Sequence, residues 1–428
     1  MDRSQQVELS APDRTEAAPR ADRRFNTFWM GQSVSQFGDR ISELALPLIA
    51  VAMLHADAQQ TALLTALIWL PNTVAPVVGA WVDSRTHKRV LLIAADVLRA
   101  VALLSLPVAY AAHGLGLAQL YLVGAITGVG QTLFDVSYPT FFTTLIPRSG
   151  YVAANSKLST SRSASFVIGP AIGGALIQAV TAPVAVAVDA VSFLFSATMI
   201  SRIRTPETPP ASDAHLPLRT RMAVGARFVF GHAILRASLA CSATMNFFML
   251  AAQAIIILFA SRVLGLSAGA IGLALGAGAV GGLIGAVVAR KVIDVVGLGR
   301  TIMLGAVFYP SPLALLTVAG GAHWKSAVVF GVAEFLSGMA VMFFDIANNS
   351  LRAAVTPDNL RSRISGAYSA INYGCRPLGA LVGGWLGTGI GMRPTLLTAG
   401  IGGALGVLCL LPSPIPGIKA VPESVNKS

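Results

Sequence analysis

Charge is the scarcest commodity in this 428-residue chain: Asp, Glu, Lys and Arg together make up 12% of it, against 54% hydrophobic residues. An ordinary soluble domain carries about twice that share of charge. So apolar a chain cannot hide its surface in a water-soluble core. Cysteine is nearly absent, and Cys241, Cys375 and Cys409 sit singly inside apolar stretches without metal-ligand spacing. They read as small hydrophobes, and no metal site is expected. No Gly-x-x-x-x-Gly-Lys-[Ser/Thr] loop occurs, which excludes an ATP-driven pump within this chain. The six histidines fall in or beside loops, and no nucleophile elbow or Cys/His cluster suggests catalysis. An enzyme is not expected, and no cofactor.

What is present is a series of apolar stretches about twenty residues long, the length that crosses about 30 Å of hydrocarbon. The expected spans are 27–54, 61–82, 90–112, 117–145, 157–178, 182–202, 236–262, 267–289, 300–320, 325–351, 364–387 and 394–412. The fold class is therefore an all-α polytopic membrane protein of 12 transmembrane helices in two six-helix bundles, with the lipid bilayer as its solvent. Forty-two glycines suit close helix packing in lipid. Residues 1–26 read as a disordered tail, 27–203 as the first bundle, 204–235 as a linker without a packed core, 236–412 as the second bundle and 413–428 as a second tail.

The formal charge of +12 is unevenly placed. Arg23, Arg24, Arg85, Lys88, Arg89, Arg202, Arg204, Arg219, Arg221 and Arg227 fall on one side of the expected spans, as do Arg290, Lys291, Arg352, Arg361 and Arg363. Only Arg262, Lys325 and Arg393 fall opposite. By the positive-inside rule both termini are expected to be cytoplasmic and the location an inner membrane. The basic balance is thus a topology signal, and no nucleic-acid partner is expected.

The two halves repeat. Gly128 and Gly338, Phe134-Asp135 and Phe344-Asp345, Pro147 and Pro357, Gly169 and Gly379, and Gly173-Gly174 and Gly383-Gly384 are all 210 residues apart. One shared register across a membrane Asp, a loop Pro and a glycine run implies two homologous bundles, the architecture of alternating access with a site between them.

Between the second and third spans the chain reads Gly79-Ala-Trp-Val-Asp83-Ser-Arg85-Thr-His-Lys88-Arg89, which resembles the loop signature of the major facilitator superfamily, with Ser84 and Thr86 departing from it. Gly169-Pro170-Ala-Ile-Gly173-Gly174 resembles the family's antiporter motif. Phe37-Gly38-Asp39-Arg40, Ala95-Asp96-Val-Leu-Arg99, Phe134-Asp135 and Asp189-Ala-Val-Ser-Phe193 are similar to the branch holding macrolide-type drug efflux proteins and siderophore exporters. The resemblance implies proton-coupled efflux of a small amphipathic organic compound, with a siderophore exporter and a non-transporting receptor as alternatives. It implies a proton gradient as energy source and a small-molecule substrate, and a functional monomer is expected. The Arg that many drug/proton antiporters carry in the fourth helix is missing here, where Gly128-Val-Gly-Gln131 stands.

Charges inside apolar spans mark candidate sites. Asp39 and Glu43 lie four apart on one helix face, Asp39 about 17 Å deep. Two adjacent carboxylates cannot both ionise comfortably in a low dielectric. They are candidates for proton or substrate binding, with Glu43 preferred because Arg40 adjoins Asp39. The alternative is that Arg40, Arg99 or Arg376 locks Asp39 in a structural ion pair. Glu334 and Arg376 fall near the midplane, to contact substrate or pair with each other. Asp135 and Asp345, with Gly79, Asp83, Arg85, Lys88 and Arg89, form an expected cytoplasmic gate. Trp69, Phe247, Phe248 and Tyr373 offer apolar walls for a bulky cargo.

Overall fold

The computed structural model describes residues 17–147, 150–204, 218–357 and 360–420. Among them every regular element is a helix. The first bundle comprises α1 (Ala17–Leu48), α2 (Ala58–Trp69), α3 (Ala75–Asp83), α4 (Lys88–Ala111), α5 (Leu117–Leu145), α6 (Tyr151–Val180) and α7 (Ala182–Ser201). After α8 (Leu218–Gly231) the second comprises α9 (Ala233–Leu258), α10 (Ala268–Val296), α11 (Leu298–Phe308), α12 (His323–Val355), α13 (Arg361–Gly389) and α14 (Met392–Ala404). A 3₁₀ turn, Leu70–Val74, joins α2 to α3 at Pro71, whose ring cannot continue an α-helix. With α2 and α3 as one rod, the elements fall on the twelve expected spans. Among the described residues, nine helical stretches are long and apolar enough to cross a membrane.

Three boundaries differ from expectation. α1 starts at Ala17, inside the expected tail, because Ala17, Ala18, Arg20, Ala21, Arg23 and Arg24 are good helix formers that hydropathy does not register. The expected linker holds α8, and its Val229 is fully buried against the second bundle. The last segment also packs. Ile415 is fully buried, and the N–H groups of Leu298 and Gly299, free donors at the start of α11, bond the carbonyls of Lys419 (3.0 Å) and Ile418 (2.8 Å). Residues 1–16, 205–217 and 421–428 of the expected tails and linker lie outside the described residues.

The 210-residue offset runs through the backbone itself. α1 and α9 both end in a π-helical turn, Ile49–Met53 and Phe259–Val263. α2 and α10 are capped at positions of the same register, Asp57 accepting from Gln60 N–H and Ser267 from Ala270 N–H. His55 and Gly265 share positive φ (52° and 64°), as do Thr181 and Gly391 (86° and 93°). Contacts repeat too: a Cβ on Gly128 would strike the Ile68 carbonyl, and one on Gly338 the Gly278 carbonyl.

Among the described residues the two bundles share buried apolar clusters on one side. On the side away from the termini a single buried apolar cluster runs from Leu44, Ile49 and Phe193 through to Ile255, Phe259 and Phe330. A smaller one, Ala62, Ala66, Ala254 and Ala380, also spans both bundles. Toward the termini each bundle keeps a cluster of its own, around Phe28 and Phe141 in the first and around Leu235 and Phe344 in the second. The space between the halves is therefore closed at the far end and open at the end that carries the termini.

Candidate transport site

Arg99, in α4, organises the polar interior of the first bundle. Its Nη2 binds Asp96 one turn earlier, its Nη1 donates to Gln131 Oε1 at 2.6 Å, and Asp39 Oδ1 stands 3.9 Å away. Its guanidinium carbon lies 4.0 Å from the Phe193 ring centre and 5.2 Å from that of Phe134. Gly130 makes room for the stem: a Cβ there would come within 2.6 Å of Arg99 Cγ. Gln131 passes the connection on, its amide donating to both oxygens of Asp135 at 3.0 Å. A second cluster adjoins. Asp189, fully buried, accepts from Ser42 and, at 3.1 Å, from Ser192.

A cavity of about 330 Å³ opens beside these groups, lined by Gln36, Asp39, Arg40, Arg99, Gln131, Asp135, Tyr138, Arg162 and Phe166 among others. Asp39 faces it. Glu43 does not: it is half exposed and bound to Arg40 at 2.5 Å. The reason for preferring Glu43 over Asp39 is thereby reversed, since Arg40 pairs with the residue one turn on and leaves Asp39 to Arg99. The alternative that an arginine engages Asp39 holds for Arg99, at a distance that leaves the carboxylate open to the cavity.

In the second bundle Arg376 donates from Nε to Asn246 Oδ1 at 2.9 Å. Its guanidinium carbon lies 4.5 Å from the Tyr373 ring and 4.6 Å from that of Trp69, which belongs to the first bundle. Among the described residues it forms no ion pair with Glu334, so the expected pairing of these two does not occur. Glu334 lies beside Gly278 of α10, a residue whose Cβ would come within 3.3 Å of its carboxylate.

The expected gate is not assembled. Lys88 Nζ binds the Val82 carbonyl, Arg89 the carbonyls of Ile200 and Ser201, and the Arg85 guanidinium lies 4.9 Å from the Trp81 ring, all within the first bundle. Asp83 is exposed, and a Cβ on Gly79 would come no nearer than 3.9 Å to Val136, so no element packs closely on Gly79. Asp135 and Asp345 each stand ten residues before the ends of their helices, about 15 Å from the loops at 1.5 Å per residue. They face the interior, and Asp135 turns to Gln131.

The antiporter-like motif is the seam of the closed end. Gly169 seats the stem of Arg40, Gly173 the Ile41 backbone, and Gly174 the Ala268 carbonyl of the opposite bundle. The Pro170 carbonyl occupies the space a Cβ on Gly272 would need. The repeat is matched: Gly383 meets Ala251, and Gly384 meets Ala58 and Ala62 across the seam.

Arg162 was not singled out from sequence. It lies in α6, eleven residues after Tyr151, but the expected span began at 157 and placed it near the membrane edge. A helix start at Tyr151 puts it about 16 Å deep. Among the described residues no group of three His, Cys, Asp or Glu converges to hold a metal ion.

Twelve-span geometry, the repeat and the half-to-half seam define a secondary-transporter fold. The chain matches the Major Facilitator Superfamily over residues 28–373 and 239–426, and it belongs to that superfamily. It is 24% identical over 385 residues to the multidrug efflux pump Tap of Mycolicibacterium fortuitum, covering 84% of this chain and 88% of that protein. Its fold is similar to a point mutant of the nucleoside transporter NupG, at a TM-score of 0.74 and 12% identity over 92% of this chain and 99% of the other. A bacterial homologue of the iron transporter ferroportin, in its inward-facing state, superposes at 0.68 with 18% identity over 90% and 98%.

Proposed function

We propose that this transporter exports a small amphipathic organic compound in exchange for protons, by alternating access across the inner membrane, with both termini in the cytoplasm. It draws on the proton gradient, binds no cofactor and works as a monomer. The observation that carries the reading is an imbalance of charge. Asp39, Asp96, Asp135 and Asp189 gather in the first bundle around one buried guanidinium, Arg99. Arg40 is bound to Glu43, so Arg99 and Arg162 are the two cations left to face these four carboxylates, and that shortfall supports a cluster accommodated by protons or by a cationic group.

Asp39 is the carrier in this reading, because it faces both Arg99 and the cavity. A proton arriving there cancels its pull on Arg99, which then rests on Asp96 and Gln131 alone. Gln131 conveys that change to Asp135. The open end at the termini supports loading from the cytoplasm, and the likeness to a multidrug efflux pump supports export. A siderophore is the second reading for the cargo, favoured by Arg162 and Arg376, which lack carboxylate partners among the described residues.

The test is accumulation of a fluorescent macrolide or dye in cells overexpressing the protein. Accumulation is expected to fall, to recover when a protonophore is added, and to stay high with Asp39→Asn but not with Glu43→Gln. Unchanged accumulation over a broad panel that includes organic acids points instead to a non-transporting receptor.

A further inference from the structure

We infer that Arg376 is the docking point for an acidic group of the cargo, a carboxylate or similar planar oxyanion, so that the cargo class is an amphipathic organic acid. The inference rests on the export reading above. Arg376 lies about 22 Å along α13, deep in an apolar span. Its orientation is fixed by Asn246, which is itself held by donating to Asn372 Oδ1 at 3.1 Å and to the Ser242 carbonyl at 2.9 Å. Tyr373 and Trp69 flank the guanidinium. With its Nε committed, the fork formed by the two terminal nitrogens is what remains.

Among the described residues that fork donates to no protein acceptor, and neither Glu334 nor Asp345 comes within ion-pair distance. The side chain is only half-buried, so the fork is accessible from the space between the bundles. A guanidinium held in place with no carboxylate at ion-pair distance is costly at this depth, and a planar pair of N–H donors matches a carboxylate geometrically. Nothing in the repeat calls for a cation here, since the position 210 residues earlier is Phe166. The two rings supply the apolar wall that an aromatic or alkyl body would lie against. Because Trp69 comes from the opposite bundle, the complete pocket exists only while the halves stand as they do here.

The test uses the full-length protein in detergent, with 1-pyrenebutyrate, its methyl ester and the corresponding amine as probes, read by energy transfer from tryptophan. Wild type is expected to bind the carboxylate at least about tenfold more tightly than ester or amine, the effect of a charge-assisted pair. Arg376→Gln is expected to abolish that preference, and Arg376→Lys to keep part of it, the charge without the fork. No preference in wild type, or a preference that survives Arg376→Gln, overturns the inference. If Arg376→Gln does not fold, Asn246→Ala takes its place: it releases Nε and with it the fixed orientation of the fork, and a preference unchanged by it overturns the inference as well. Displacement of the probe by phosphatidylglycerol at matched concentration assigns the fork to a lipid headgroup and removes the cargo. Binding is read at equilibrium without a gradient, so it answers separately from export. Carboxylate preference without protonophore-sensitive export sinks only the export reading, whereas export of a neutral compound untouched by Arg376→Gln sinks only this one.

Discussion

Replacing Arg99 with Gln removes the one cation bound to Asp96, a side chain with no exposed surface. Breaking a buried ion pair from one side costs about 3–5 kcal/mol, because the remaining charge is left uncompensated. The opposite deletion is milder. Asp96→Asn leaves Arg99 with Gln131 at 2.6 Å and Asp39 at 3.9 Å, so the loss is that of one charged hydrogen bond, about 1.5–3 kcal/mol. The double variant strands neither charge and is expected to cost about 1–2 kcal/mol. The singles therefore sum to well over the double, with a coupling energy of about 3.5–6 kcal/mol. Equilibrium unfolding by SDS in mixed micelles measures all four corners of the cycle. A coupling below about 0.5 kcal/mol, or an Asp96→Asn variant as unstable as Arg99→Gln, refutes the assignment of Arg99 as the counter-charge of this interior.

Three further predictions concern the frame. Gly174→Val and Gly384→Val place side chains against the Ala268 carbonyl and against Ala62, so both are expected to pry open the far end; spin labels at Ala56 and Ile390 should report a longer distance in each, and an unchanged distance denies the seam. Thr181 has φ 86° and ψ 154°, a region that β-branched residues avoid, where its counterpart is Gly391; Thr181→Gly is expected to raise stability by about 1 kcal/mol in the same unfolding assay, while a loss shows that no strain resides there. His232, between α8 and α9, stacks on Phe228 with its Nδ1 buried and unbonded, and burial pushes its imidazole below the ordinary value. The unfolded chain then binds the proton more readily, so stability falls as pH drops below about 6.5. His232→Phe should flatten that fall, and an unaltered pH profile assigns it to other groups.

The repeat made most of the fold legible. Seven residue pairs at one offset foretold an arrangement that the backbone repeats down to its π turns and left-handed residues. α8 and the packed segment from Ser413 to Lys419 were not legible, because three arginines lower the hydropathy of α8 and because Ile415 is a single buried anchor. At the site, the residues were largely visible and their partners were not. Sequence adjacency set Arg40 against Asp39, whereas helical geometry carried it to Glu43. Arg162 was hidden by a span boundary six residues too late. One available signal went unused: applying the same offset to Asp39, Asp96, Arg99 and Asp189 gives Met249, Ala306, Tyr309 and Ala399. Of the acidic cluster, then, Asp135 alone has a counterpart, Asp345, and the restriction of the other three carboxylates to one bundle can be read without coordinates.

The seam obeys the rule of an isologous dimer. Gly174 meets Ala268 and Gly384 meets Ala58, and each residue of the first pair stands 210 positions from one of the second, in exchanged roles. That is the relation by which a surface binds a second copy of itself through a two-fold axis. A half-length ancestor carrying this glycine run would have been self-complementary before any linker existed. Fusion releases the two copies from being identical, allowing one to carry Asp39, Asp96 and Asp189 where the other carries Met249, Ala306 and Ala399. The docking surface, being shared, was the part that neither copy could change alone.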